Sequence, residues 1–189
     1  MFRKVLGFTL LVFAAPALAG DLSYNYLQLG YQRVDVDDIN VDGDGFGLGG
    51  SFEVGENWFI QAGYATAELD FGVDLDQLGV GVGYHVDMSE NADFFATLSY
   101  VSVEASVPGF GSADDDGFGV SIGVRGMVSE QVELTGSLGY VDLSDSGDST
   151  SLNAAAFYNF TDAFALGLVL GTDDDVTSYG LAGRFYFGN

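Results

Sequence analysis

The chain of 189 residues contains no cysteine, so no disulfide holds it together. It has two prolines, one tryptophan and one histidine, His85. Cationic side chains are nearly missing: five Lys and Arg stand against 28 Asp and Glu. A chain this anionic repels nucleic-acid phosphates, which excludes nucleic-acid binding. Long hydrophobic runs are also absent. The apolar stretch from Val5 to about Ala15 is shorter than the ~20 residues a membrane-spanning helix needs. No longer run follows it, which excludes a helical membrane protein.

That short run fits an export signal instead. Arg3 and Lys4 precede it, and Ala17-Leu18-Ala19 is the small-x-small pattern of a cleavage site. The expectation is that residues 1–19 are a cleaved secretory signal peptide and 20–189 a single domain. Cleavage would leave Arg33, Arg125 and Arg184 as the only full cations against all 28 acids. With 48% hydrophobic residues, 14% aromatic residues and 28 Gly, the chain carries too much apolar surface for disorder.

What fills the chain is one recurring unit of roughly ten residues in which large apolar and small or polar side chains alternate. Phe46, Leu48, Phe52 and Val54 alternate with Gly45, Gly47, Gly49, Ser51 and Glu53. Phe94, Ala96, Leu98 and Tyr100 alternate with Phe95, Thr97 and Ser99. Phe118, Val120, Ile122 and Val124 alternate with Gly119, Ser121, Gly123 and Arg125. Successive side chains on a strand point to opposite faces, so each unit is a strand with one apolar side. Ten such units are expected, with eight as the alternative. Short connections separate some of them, at 55–57, 87–91, 128–131 and 159–162. Longer acidic connections separate the others, at 35–44, 68–76, 104–116, 142–150 and 172–177. This pattern predicts an all-β fold: a closed, antiparallel, up-and-down transmembrane β-barrel with short turns at one end and acidic loops at the other.

A soluble sheet would carry charge on its second face. Here that face is mostly Gly, Ser, Thr, Ala and Gln, so lipid is expected to cover the apolar face. Aromatic residues on the apolar side sort to the strand ends. Trp58, Tyr84, Phe94, Tyr158, Phe164, Phe185 and Phe187 lie near the short turns. Tyr31, Phe46, Tyr64, Tyr100, Phe118, Tyr140 and Tyr179 lie near the acidic connections. Two aromatic girdles at the membrane interfaces follow from that placement.

With this alternation and its aromatic-rich last strand, Tyr179 through Phe187, the sequence resembles the small outer-membrane β-barrel proteins, the OmpX-like and opacity-type barrels. The resemblance covers the whole mature chain. It implies a place in the cell outer membrane, contact with outer-membrane lipid and lipopolysaccharide, and handling by the barrel-insertion machinery during biogenesis.

Candidate sites are few. On the inward face, Tyr24, Tyr26, Gln28, Phe59, Gln61 and Phe95 stand beside strands rich in Gly, which reads as a packed lumen with an open pore as the alternative. Glu53, Glu133, Arg125 and Arg184 point inward near the short turns. Buried charges need partners, so the two arginines are expected to pair with these carboxylates. Asp38, Asn40, Asp42 and Asp44, with Gly43 at the sixth position, match the opening of a calcium loop. The twelfth position is Gly49 instead of Glu, so these are candidate ligands only for weak Ca²⁺ or Mg²⁺ binding. No other cofactor is implied. No nucleophile–base constellation is present, and His85 lies at the short-turn end, so no enzyme is expected. The leading functional expectation is a structural or surface-interaction role through the acidic loops. The alternative is a narrow cation-preferring porin or channel, because an acidic mouth concentrates cations.

Overall fold

A computed structural model describes residues 22–36 and 41–188. The segment read as a signal peptide lies outside the described residues. Ten antiparallel strands form a closed barrel in which each strand pairs with its neighbour in the chain and the last closes on the first. They are β1 (Tyr26–Val36), β2 (Val41–Glu53), β3 (Trp58–Leu69), β4 (Val73–Ser89), β5 (Ala92–Val107), β6 (Gly111–Met127), β7 (Val132–Leu143), β8 (Gly147–Thr161), β9 (Phe164–Thr172) and β10 (Val176–Tyr186). Closure pairs the backbone polar groups of every strand and leaves no sheet edge, the condition for crossing lipid with strands.

The outward face is an apolar belt. Leu29, Leu48, Ile60, Val80, Leu98, Ile122, Leu138, Leu168 and Leu181 are all exposed there. Both aromatic groups flank it on the same face. Tyr31 packs edge-on against Phe46, Tyr100 against Phe118, and Trp58 against Tyr84. Phe160, within a segment read from sequence as a turn, joins the short-turn girdle between Tyr158 and Phe164. Phe187 departs from expectation. The last strand ends at Tyr186, and Phe187 is half-buried, with its amide donating to the Asn25 carbonyl (3.1 Å).

The acidic connections are the larger correction. Those that are described are mostly strand. β4, β5 and β6 run for 17, 16 and 17 residues, and the turns joining the outer hairpins shrink to stretches such as Asp70–Gly72. Beyond Tyr100, β5 continues for seven residues to Val107, roughly 23 Å along the strand. Along this extension the two faces exchange chemistry without any slip in register. Ser102, Glu104 and Ser106 now point outward, while Val101 and Val103 and Ala105 are buried inside. The same alternation, Asp out and Val or Leu in, runs through Val34–Val36, Val41–Asp44 and Val73–Asp76. Acidic residues at every second position give these strand segments the sequence signature of a loop.

Candidate functional site

The lumen is built in three layers. At the short-turn end lies a buried charge cluster. Inward parity places Arg125 on β6, Glu133 on β7 and Arg184 on β10, and their relative exposures are 0, 0 and 1%. Glu133 receives Arg184 Nη1 at 3.2 Å and Arg125 Nε at 3.4 Å, so one carboxylate serves two guanidinium groups. Gln28 Oε1 accepts two further hydrogen bonds from Arg184, from Nη2 (2.7 Å) and Nε (2.9 Å). The Arg184 guanidinium also sits 3.8 Å over the Phe157 ring and 4.7 Å over the Tyr26 ring. Such stacking suits the weakly hydrated, planar guanidinium. Arg125 lies 4.9 Å over Tyr24 and 3.8 Å from Asp93.

Of the four residues that sequence parity placed here, three converge and Glu53 does not. Glu53 ends β2 at a half-exposed position and is engaged by the segment preceding β1. It accepts the Tyr24 amide (3.1 Å) and Asn25 Nδ2 (2.8 Å). Asp93 and His85 take its place in the cluster. The Tyr24 hydroxyl donates to Asp93 (3.2 Å), His85 Nδ1 lies 3.5 Å from the same carboxylate, and the imidazole stacks on Tyr24 at 4.0 Å. Parity alone could have flagged both, since Asp93 stands two residues before the inward Phe95.

The middle layer pairs large with small. Phe59 lies over its cross-strand partner Gly83, Phe95 over Gly123, and Phe157 over Gly167, leaving no room for a methyl group at any of the three glycines. Beside them is a cavity of about 140 Å³ lined by Gln61, Thr97, Ser99, Thr135, Ser137 and Asn153 among others. Gln61 Nε2 donates to Ser99 Oγ (3.3 Å) across β4, where Gly81 gives them room.

The third layer is apolar. Val34, Val36, Val41, Ala65, Ala67, Leu69, Leu75, Val101, Val103, Ala105, Leu143 and Val176 form one buried cluster inside the extended hairpins. It lies between the cavity, which Val101 also lines, and the hairpin tips.

The outer surface of the extension carries the acids. Arg33 is held between Asp42 (3.2 Å), Asp44 (3.6 Å) and Asp35 (3.9 Å). Asp38 and Asn40, half of the candidate calcium set, lie outside the described residues. Asp42 and Asp44 stand on β2 rather than in a loop, because the strand starts at Val41, and both engage Arg33. Girdle tyrosines reach up to this ring: the Tyr31 hydroxyl donates to Asp44 (2.7 Å), and Tyr64 donates to Asp76. Asp115 is the inward exception. Burial opposes its ionisation, but the Ser146 side chain and the amides of Asp145, Ser146 (2.7 Å) and Asp116 outweigh that effect and hold its carboxyl below the usual range. At the tips, Phe71 and Phe110 project with relative exposures of 88 and 85%, and the two hairpins meet where Gly72 lies against Pro108. Phe71 holds a φ of 67°, a left-handed conformation that an aromatic residue rarely adopts.

No curated protein matches this sequence. Solved structures resemble the fold at low identity. The transport unit of the autotransporter AIDA-I from Escherichia coli is 11% identical at a TM-score of 0.50, over 98% of this chain and 97% of that one. A bacterial polysaccharide outer membrane secretin is 11% identical at 0.50, over 89% of this chain and 67% of that one. Ail, the attachment invasion locus protein of Yersinia pestis, is 17% identical at 0.42, over 87% and 99%. The family model for the outer membrane protein beta-barrel domain matches residues 7–160. With its closed ten-stranded barrel, the chain belongs to the outer membrane protein beta-barrel domain family, and its place is the outer membrane.

Proposed function

We propose that this protein is a non-conducting outer-membrane barrel that works at the cell surface by presenting its extended, acidic hairpins to a partner. Short turns face the periplasm in outer-membrane barrels, which puts the extensions outside the cell. The observation that carries the reading is the apolar cluster around Leu75, Val103 and Leu143, which occupies the lumen beneath the tips. A cation-preferring channel needs a polar path through that level, and a packed apolar plug offers permeating ions no replacement for their hydration shell. The same extensions supply the contact surface. Their acidic outer faces favour a basic partner, and exposed Phe71 and Phe110 supply apolar anchors of the kind that dominate interfaces. Outer-membrane lipid and lipopolysaccharide surround the belt below.

Single-channel recording of the refolded protein in a planar bilayer tests this reading. Folded protein, verified by heat-modifiable gel migration, should be electrically silent. Steady cation-selective openings would overturn it in favour of the channel. Cells displaying the protein should also adhere to a surface coated with a basic protein, and Phe71→Ser with Phe110→Ser should lower that adhesion.

A further inference from the structure

The short-turn mouth of the lumen holds a group of side chains that neither barrel closure nor surface contact uses. On β4, His85 and Asp87 share the inward parity. On β5, Asp93 is the direct cross-strand partner of Asp87. Two carboxylates placed directly opposite each other repel, and a sheet normally avoids that pairing. One ligand atom from each of His85, Asp87 and Asp93 can be chosen so that all three lie within 4.8 Å of one another.

The imidazole supplies an independent observation. His85 has a relative exposure of 6%, yet neither ring nitrogen makes a hydrogen bond. Its position is fixed from both sides. The backbone is tied to Asn57 by two hydrogen bonds (2.9 and 3.0 Å), and the ring is stacked on Tyr24. A buried imidazole held rigidly beside two carboxylates, with neither nitrogen hydrogen-bonded, has one nitrogen lone pair to offer an ion. His85 Nδ1 and Asp93 Oδ2 are already 3.5 Å apart. Two ligands on a tetrahedral Zn²⁺ at ~2.0 Å each stand roughly 3.3 Å from one another.

We infer that His85, Asp87 and Asp93 form a site for a divalent transition-metal ion of the Zn²⁺ class at the periplasmic mouth of the barrel. Charge supports it: three carboxylates, Glu133, Asp87 and Asp93, stand against the two guanidinium groups of Arg125 and Arg184, so the mouth keeps an excess negative charge that a bound cation offsets. Outer support is in place too, because Tyr24 donates to Asp93 and Arg125 stands beside it, orienting the carboxylate as metal ligands are commonly oriented. Asp87 is exposed, so an ion can enter from the periplasm, and water would complete the coordination. An imidazole donor favours Zn²⁺ and its neighbours over Mg²⁺ and Ca²⁺, which prefer all-oxygen sites.

The test is a calorimetric Zn²⁺ titration of the refolded protein in detergent, with Mg²⁺ in large excess to occupy the acidic hairpins. The wild type should show one saturable Zn²⁺ site that survives the Mg²⁺. His85→Phe, which keeps a ring against Tyr24, should lose it. Asp87→Ala, at an exposed position where folding is safe, should lose it as well. Co²⁺ in place of Zn²⁺ should give the intense visible absorption of a tetrahedral centre in the wild type and not in either variant. Absence of a saturable site in the wild type would overturn the assignment. So would Zn²⁺ binding unchanged in a folded variant, since that would place the ion on the hairpin carboxylates. If His85→Phe fails to fold, Asp87→Ala decides.

Discussion

Glu133 is the single anion between two buried arginines, so neutralising it should be far more damaging than its size suggests. Glu133→Gln keeps the shape of the side chain and removes its charge. Each ion pair at 3.2–3.4 Å is worth about 5 kcal/mol at an effective dielectric near 20, and two are lost together. Relief of the desolvation that Glu133 suffers offsets part of this. The net cost expected for breaking such a buried arrangement is about 3–5 kcal/mol. Reversible urea unfolding in lipid vesicles measures it. The charge argument makes a second demand. In Glu133→Gln/Arg184→Gln one excess cation leaves with the anion, so the double variant should lose less than the sum of the single variants, by about 1–3 kcal/mol. A Glu133→Gln cost below about 1 kcal/mol, or strict additivity, would refute the account of the cluster as a mutually dependent unit.

Other perturbations follow from the same geometry. Gly83→Ala places a methyl group into the Phe59 ring and should cost about 1–3 kcal/mol in the same unfolding assay. Leu168→Arg, in mid-belt, should cost about 2–4 kcal/mol, whereas Ser106→Arg, outward on the β5 extension, should stay within about 0.5 kcal/mol. Asp115, whose carboxyl is held below its unfolded value, stabilises the β7–β8 turn above that unfolded value, and the contribution is lost as pH falls through the lower folded one. Amide exchange at Asp145 and Ser146 should therefore lose protection on acidification in the wild type, and Asp115→Asn should show little of that pH dependence.

The outward apolar face and the strand number were legible because lipid imposes one chemistry on every second residue. Leu29, Leu98 and Leu168 announce themselves even in short strands. Arg125, Arg184 and Glu133 were legible by the same parity. Their companions were harder to see. Whether Asp93 meets Arg125 and His85, and whether Glu53 stays apart, depends on the width of the lumen and on the path of residues 22–25, neither of which is written in a period of two. The apolar cluster is hidden in the sequence for a different reason. Val34, Leu75 and Val103 stand at correct inward parity, but Asp35, Asp76 and Glu104 between them signal a solvated loop when hydrophobicity is averaged along the chain.

That inversion along a strand ties the extension of the hairpins to the apolar cluster inside them. Below Tyr100, lipid stabilises the outside of β5, so the inside is free to hold Thr97 and Ser99 beside a cavity. Above Tyr100 the outside meets water, and a hairpin extended roughly 23 Å into water needs an apolar face buried somewhere. Outward burial is unavailable, because Glu104, Asp114 and Asp116 occupy that face. Only the axis of the barrel remains, and Val101, Val103 and Ala105 fill it together with the inward residues of the other hairpins. A one-residue slip would exchange the two faces, yet the pairing of β5 with β4 and β6 runs through this level without a shift. On the proposed reading, the side chains that let the hairpins project from the membrane are the ones that close the lumen at that level.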